Sequence, residues 1–265
     1  VTLVESGFGL DVSSGVELKS ALALNARDII FSGPGKTNEE LSLAIAHADR
    51  TILLIDSFGE LERLKVLISE SDPATPIRVG IRLTTNPNGL WRKFGIVPEQ
   101  LIAFWNQVKD LPNIQFKGIQ FHSSWNLTPD RQVEFIDLLG SILSRMPARF
   151  NSSIAFIDIG GGYWPEEGEW LQFAGTKEGL GQKVNGNKVL PSNDHYQIPS
   201  TPIEAFAKML FKAIETHIFP WVNSKICFEP GRWICHSAMH LFFKVIDKKD
   251  HDLVITDAGT NAIGW

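Results

Sequence analysis

The sequence predicts a parallel α/β fold, a (β/α)8 barrel of the TIM type, followed by the opening of a β-rich C-terminal domain. Three observations carry this. Short apolar runs alternate with longer amphipathic stretches from the first residues to about residue 231. The runs are rich in Ile, Val, Leu and Phe with little alternation, the pattern of strands buried on both faces of a parallel sheet. Polar residues and glycines collect just after nearly every run, where such a barrel places its functional groups.

The apolar runs are 7–12, 28–33, 51–57, 77–84, 115–123, 154–160 and 225–231. Between them lie helix-like segments at 15–24, 38–48, 60–69, 98–109, 129–145 and 202–218. Several open on start signals: Thr37 before Asn38-Glu39-Glu40 supplies a cap and first-turn acids, and Pro98, Pro129 and Pro202 suit a first helical position. Strand–helix repetition of this kind leaves an open doubly wound sheet or a closed barrel. Seven strands are one short of a closed barrel, so the reading places the first strand before residue 1. The stretch 164–200 breaks the rhythm; rich in Gly, Asn, Lys and Pro, it reads as a long excursion with little that could pack. After Arg232 two strand-like runs, 239–247 and 252–257, have no helix between them. The expected division is therefore a barrel over 1–237, with the excursion, and an incomplete β domain over 238–265.

Composition narrows the function. The chain has 265 residues, 43% of them hydrophobic and 21% charged, with a formal charge of −5. Scattered lysines and arginines argue against nucleic acid, whose phosphates call for a clustered basic face. No apolar run is long enough to span a bilayer, and the first residues do not read as a signal peptide. Two cysteines, Cys227 and Cys235, give no disulfide framework, so a reducing cytoplasm is the expected setting. A P-loop is not expected at Gly33-Pro34-Gly35-Lys36-Thr37, because Ile30 stands where that motif has its first glycine. His236 and His240 have i,i+4 spacing without a partnering acid pattern, and no metal site is expected. Eight tryptophans are dispersed rather than arrayed for a sugar.

The strand ends give a short list of candidate residues. They are Asp11, Ser32, Asp56, Arg82, His122, Ser123 and Ser124, then Gly160-Gly161-Gly162 and Glu229-Pro230-Gly231-Arg232. Each has a plain structural reading as a turn. Three successive glycines let backbone N–H groups close around an anion such as a phosphate, or simply make a tight turn. Arg232 offers a forked donor to that anion, and Glu229 can hold a proton on a heteroaromatic nitrogen; as a surface ion pair the two would contribute little. His122 is a core histidine or an imidazole lying flat on a ring.

Together the motifs carry a resemblance. "GFGLDVSSGVEL" (7–18), "IIFSGPGKTNEELSLAI" (29–45), "LLIDSFGELERL" (53–64), "RKFGI" (92–96), "GIQFHSS" (118–124), "FIDIGGGYW" (156–164) and "FEPGRWI" (228–234) occur in order. The chain so resembles the ornithine/diaminopimelate/arginine decarboxylases that use pyridoxal 5′-phosphate (PLP), fold type III enzymes with an alanine-racemase-like barrel. "EPGR" after "DIGGG" is the most specific part. The resemblance implies a PLP barrel joined to a β domain, an amino-acid substrate such as diaminopimelate, ornithine or lysine, and a homodimer. It gives Gly160, Gly161, Gly162 and Arg232 to the phosphate, with Pro230, Gly231 and Ser124 beside them. It sets Glu229 against the pyridine nitrogen, lays His122 on the ring, and gives Asp11 and Arg82 a supporting role. Asp257 is placed near the substrate. The expected catalytic set is His122, Glu229 and Asp257.

Two departures stand out. Ser124 and Trp125 occupy the positions where the family usually has Gly-Ser, so an indole replaces a phosphate-touching serine. The family's Schiff-base lysine, on the first strand, has no counterpart here, and Lys36, Lys93, Lys117 and Lys225 are poorly placed to substitute. The reading is a decarboxylase. The alternatives are a PLP-dependent racemase or epimerase, which usually pairs the ring nitrogen with arginine, and a non-catalytic homologue that binds or regulates a partner.

Overall fold

The structure is a computed structural model that describes residues 1–88, 92–190, 194–238, 240–251 and 253–259. A short helix α1 (Thr2–Glu5) precedes strand β1 (Leu10–Val12), helix α2 (Gly15–Ala23), β2 (Ile29–Phe31), α3 (Asn38–Ala46), β3 (Thr51–Ile55), α4 (Phe58–Ser71) and β4 (Ile77–Leu83). Then follow α5 (Leu101–Val108), β5 (Ile114–Phe121), α6 (Asp130–Leu143), α7 (Ala148–Ser153) and β6 (Phe156–Gly161). The excursion holds β7 (Glu169–Gln172), α8 (Lys177–Val184) and β8 (His195–Ile198), and α9 (Ile203–His217), β9 (Lys225–Glu229), α10 (Arg232–Cys235), β10 (Val245–Lys248) and β11 (Val254–Thr256) complete the order.

Seven strands form one sheet in the order β1-β2-β3-β4-β5-β6-β9, and every neighbouring pair is parallel. The order never reverses, which is the winding of a β/α barrel; a doubly wound sheet would reverse at a switch point. The seven expected strands are all present. β1 and β9 end the sheet, and among the described residues no strand pairs with their outer edges.

The sequence explains these elements. β6 is buried at all six positions and β3 at four of five, as the unbroken apolar runs require. The helices present one buried face each: Leu41, Ala44 and Ile45 in α3; Leu61, Leu64 and Ile68 in α4; Phe206, Leu210, Ala213 and Ile214 in α9. Thr37 closes a full capping box with Glu40, and Ser14 and Ser57 cap α2 and α4. One continuous core lies between sheet and helices.

The excursion differs from expectation. It packs into an antiparallel hairpin, with Glu169 paired to Ile198 and Gln172 to His195. Thr176 caps the helix between the two strands, and the Phe173 and Tyr196 rings lie 6.2 Å apart. Its polar composition masked a short hairpin held by main-chain bonds and two aromatic rings. The two late strand-like runs form the antiparallel pair β10–β11, shorter than their apolar patterning suggests; Met239 and Asp252 lie outside the described residues.

Candidate active site

Parallel strands end on one side of the sheet, so the residues closing them share one mouth. Asp11 comes from β1; Ser32, Asp56 and Arg82 come from the ends of β2, β3 and β4. Gln120 and His122 come from β5, Asp158 and the triple glycine from β6, and Glu229 from β9.

Glu229 is the centre of this group. Its Oε1 accepts a hydrogen bond from Gln120 Nε2 at 3.0 Å, and its Oε2 lies 3.0 Å from His122 Nδ1. Gln120 and His122 are two residues apart on β5 and point to one face, so a single strand holds both carboxylate oxygens. His122 Nδ1 also lies 3.3 Å from the Gly161 N–H. One nitrogen cannot donate to the acid and accept from the amide together. The shorter, charge-assisted contact to Glu229 prevails, which leaves the Gly161 N–H unspent. The remaining ring nitrogen, Nε2, is 3.4 Å from Ser124 Oγ.

Three acids crowd this mouth and they do not share their charge equally. Asp158 is 2% exposed; burial, then the charge of Glu229, pushes its carboxyl up to about 8, against the pull of the Gly160 N–H that it accepts at 2.9 Å. Crowding by protein atoms and the Glu229 charge push Asp11 up to about 7, while its Ser32 hydroxyl bond at 2.9 Å and Arg82 draw it down. Asp11 is exposed, and water there offsets part of that push. Burial also opposes the charge of Glu229, but the bond and charge of His122, with hydrogen bonds from Gln120 and Asp158, outweigh it and hold Glu229 below the ordinary carboxylate range. At neutral pH Asp158 therefore keeps its proton and Glu229 is the anion.

The triple glycine turns beside these acids. Gly160 and Gly162 have φ of +72° and +78°, a left-handed backbone that favours glycine. A Cβ on Gly161 would overlap the Glu229 carbonyl, and one on Gly162 would sit 2.5 Å from the Ser123 carbonyl oxygen. The Gly160 N–H is spent on Asp158. The ladder between β6 and β9 spends the Gly162 N–H on the Glu229 carbonyl, because Pro230 has no N–H to make the alternative pairing, whereas the Gly231 N–H finds no acceptor among the described residues. Gly161, Gly162 and Gly231 form a side-chain-free turn in which the Gly161 and Gly231 N–H groups are unspent, next to an ionised carboxylate held from one strand. That donor set fits a phosphorylated pyridine: amides for the phosphate and an anion for the ring nitrogen.

Other expected residues fall differently. The Arg82 guanidinium donates to the Ser32 carbonyl at 3.0 Å, lies 3.9 Å from Asp56 and covers the Phe94 ring at 4.7 Å, so it braces the neighbouring strand ends. Arg82, His122 and Ser124 also line a cleft of about 110 Å³ with Thr84, Trp125 and Arg131. Pro230 and Gly231 make the exposed turn into α10. Arg232 lies over the Trp164 ring at 3.9 Å and over Trp125 at 5.6 Å. Asp257 is not brought to this mouth: it sits on the β10–β11 hairpin, where its Oδ1 accepts from the Lys244 N–H at 3.0 Å. Lys36 is buried, with Nζ 2.7 Å from the Leu54 carbonyl and 3.0 Å from Glu60. Among the described residues no group of three metal-ligating side chains gathers, and no helix is long and apolar enough to cross a membrane.

Sequence reading missed Gln120, Asp158, Trp164 and Glu169 as members of this site. Gln120 was legible in principle, since a polar residue two before His122 in an apolar strand must face the same way. Glu169 lies in the excursion and gave no such signal.

The family model described as "pyridoxal-dependent decarboxylase, pyridoxal binding domain" matches residues 1–236. A diaminopimelate decarboxylase of Vibrio cholerae is 28% identical over 98% of this chain and 58% of its own length. The 2-[(L-alanin-3-ylcarbamoyl)methyl]-2-hydroxybutanedioate decarboxylase of Staphylococcus aureus is 29% identical over 58% of this chain and 40% of its own. The chain thus spans about half the length of these curated relatives. Among solved structures, diaminopimelate decarboxylase from Helicobacter pylori complexed with L-lysine matches 98% of this chain and 60% of its own with a TM-score of 0.73 at 21% identity, a likeness of fold.

Proposed function

Because the chain belongs to the pyridoxal-dependent decarboxylase family, through its pyridoxal-binding domain, we propose that it forms the cofactor-binding barrel of an enzyme that decarboxylates an amino acid, of the diaminopimelate, ornithine or lysine kind. The observation that carries this is the ionised Glu229, held by Gln120 and His122 beside a glycine turn with unspent amides.

When bound, PLP supplies an electron sink for the pair left on the α-carbon as CO2 departs. Glu229 would keep a proton on the ring nitrogen, which would make that sink deeper. Gly161 and Gly231 would give backbone N–H groups to the phosphate, and Arg232 its guanidinium. His122, whose Nδ1 lies 3.0 Å from Glu229, would stack on the ring. Asp158 stays protonated and donates to Glu229, so the charge stays on one acid. Asp11, Ser32 and Arg82 brace the opposite strand ends. The substrate assignment takes its support from relatives whose names specify diaminopimelate and from a solved lysine/ornithine decarboxylase of Vibrio vulnificus complexed with putrescine. A homodimer and a cytoplasmic setting complete the proposal; two free thiols suit a reducing compartment.

A second reading is a homologue that binds PLP or a partner without turnover. A racemase is disfavoured, because the residue facing the ring nitrogen is an acid.

The test has two arms. PLP added to the 265-residue chain should bind one per chain and shift its absorbance, and Glu229→Gln should weaken binding at least tenfold. The intact protein should release CO2 from diaminopimelate, ornithine or lysine. Binding without CO2 from any of these selects the second reading; no binding ends both.

A further inference from the structure

Arg232 is mounted in an unusual way. Its guanidinium lies over the Trp164 indole at 3.9 Å and over the Trp125 indole at 5.6 Å. Among the described residues it pairs with no carboxylate, so its N–H edge remains open. A guanidinium stacked on rings is fixed in orientation while its in-plane donors stay available. The indole N–H of Trp164 is buried and has no acceptor among the described residues. An unpaired buried donor costs free energy until an acceptor arrives. Two kinds of unspent donor therefore lie in one cluster.

Trp125 reaches this cluster at a cost. Its φ is +59°, a region that bulky side chains rarely adopt. Its indole N–H donates to Glu169 Oε1 at 3.0 Å, and Glu169 opens strand β7 of the excursion. His236, just beyond α10, lies 3.5 Å from Glu167 on the same segment. The loop 123–126 packs directly on Gly162: Asn126 pairs with Tyr163, and a Cβ on Gly162 would meet Ser123 and Ser124. The indole mount, the excursion and the glycine turn are one continuous structure.

The geometry points to Trp125 as a positioning residue that, latched by Glu169 of the excursion, holds Arg232 over the Trp164 indole as the receptor for a phosphate-monoester dianion. This rests on the proposed cofactor reading. The excursion then belongs to the anion site, and Trp125 determines how strongly the phosphate of a ligand counts toward binding.

The experiment compares PLP with pyridoxal, which lacks the phosphate, in equilibrium dialysis against the 265-residue chain and its Trp125→Ala, Trp125→Phe and Glu169→Ala variants. A second readout follows the Arg232 Nε–H resonance by NMR as inorganic phosphate is added. Trp125→Ala should cut the ratio of PLP to pyridoxal affinity at least tenfold, with pyridoxal affinity changed less than twofold, and should abolish the phosphate-induced shift. Glu169→Ala should cut the ratio about threefold. Trp125→Phe keeps a ring face and should restore most of it. Equal weakening of both ligands by Trp125→Ala, or an unchanged ratio, overturns the assignment. If wild type binds neither ligand but phosphate still moves Arg232 in a Trp125-dependent way, the cofactor reading falls and the anion receptor stands.

Discussion

Replacing Asp158 with Asn should make the protein progressively more stable than wild type as pH rises. The asparagine keeps the shape, can still accept the Gly160 N–H that Asp158 Oδ1 accepts at 2.9 Å, and can still donate toward Glu229. It cannot ionise. In wild type the folded carboxyl is pushed up to about 8 by burial and by the Glu229 charge, against an ordinary value of 3.8. Between those values the unfolded chain has released its proton and the folded chain has not. Folding then takes up a proton, and stability falls as pH rises, at about 1.4 kcal/mol per pH unit. The stability that Asp158 contributes is fully present below its unfolded value and lost as pH climbs through its folded value. From pH 5 to pH 8 the loss amounts to about 4 kcal/mol. Asp158 is 2% exposed, so solvent screening takes little from it. The assay is urea unfolding of both proteins at pH 5, 6, 7 and 8. With a slope of about 2–3 kcal/mol per molar urea, the gap between midpoints should widen by roughly 1.5 M across that range. A gap that stays constant with pH would show that Asp158 ionises normally, and the assignment of the single negative charge to Glu229 would be wrong.

Other perturbations test other parts of the site. Glu229→Gln removes the like charge beside Asp158, so the fall in stability from pH 5 to pH 8 should become shallower than in wild type in the same titration; an unchanged slope would uncouple the two acids. Lys36→Met should destabilise by about 3–5 kcal/mol in urea unfolding, because it leaves Glu60 buried without its cation. Combining it with Glu60→Gln should cost less than the sum of the single changes, and additivity would contradict the pair. Gly162→Ala places a side chain at φ +78° and 2.5 Å from the Ser123 carbonyl oxygen. It should lower stability by about 1–2 kcal/mol or more and weaken PLP binding; a neutral result would mean that the turn relaxes freely.

Much of the fold was legible because its signal is local. Runs such as 51–57 and 154–160 are apolar on both faces and read directly as parallel strands, and Thr37 marked the start of the helix at 38–48. The excursion was not, since its hairpin depends on main-chain pairing between residues 169–172 and 195–198, which leaves no periodic apolar pattern. The site divided in the same way. Glu229, His122 and the glycines follow strand ends and could be read from position. Which acid carries the charge could not, because burial and the separation of Asp11, Asp158 and Glu229 exist only once β1, β6 and β9 share one sheet. The indoles beside Arg232 are likewise joined only by the fold, and Asp257 shows the converse, since it follows a strand of the separate β10–β11 sheet and is committed to that hairpin.

The central claim is that Glu229 is ionised and keeps a proton on the cofactor's ring nitrogen. PLP labelled with 15N at that nitrogen, bound to the 265-residue chain and observed by NMR from pH 6 to pH 9, reports the protonation directly. A pyridinium resonance that persists across the range in wild type, and moves to the neutral position in Glu229→Gln, is the expected result. A neutral ring nitrogen in wild type, or the same resonance in both proteins, would contradict it.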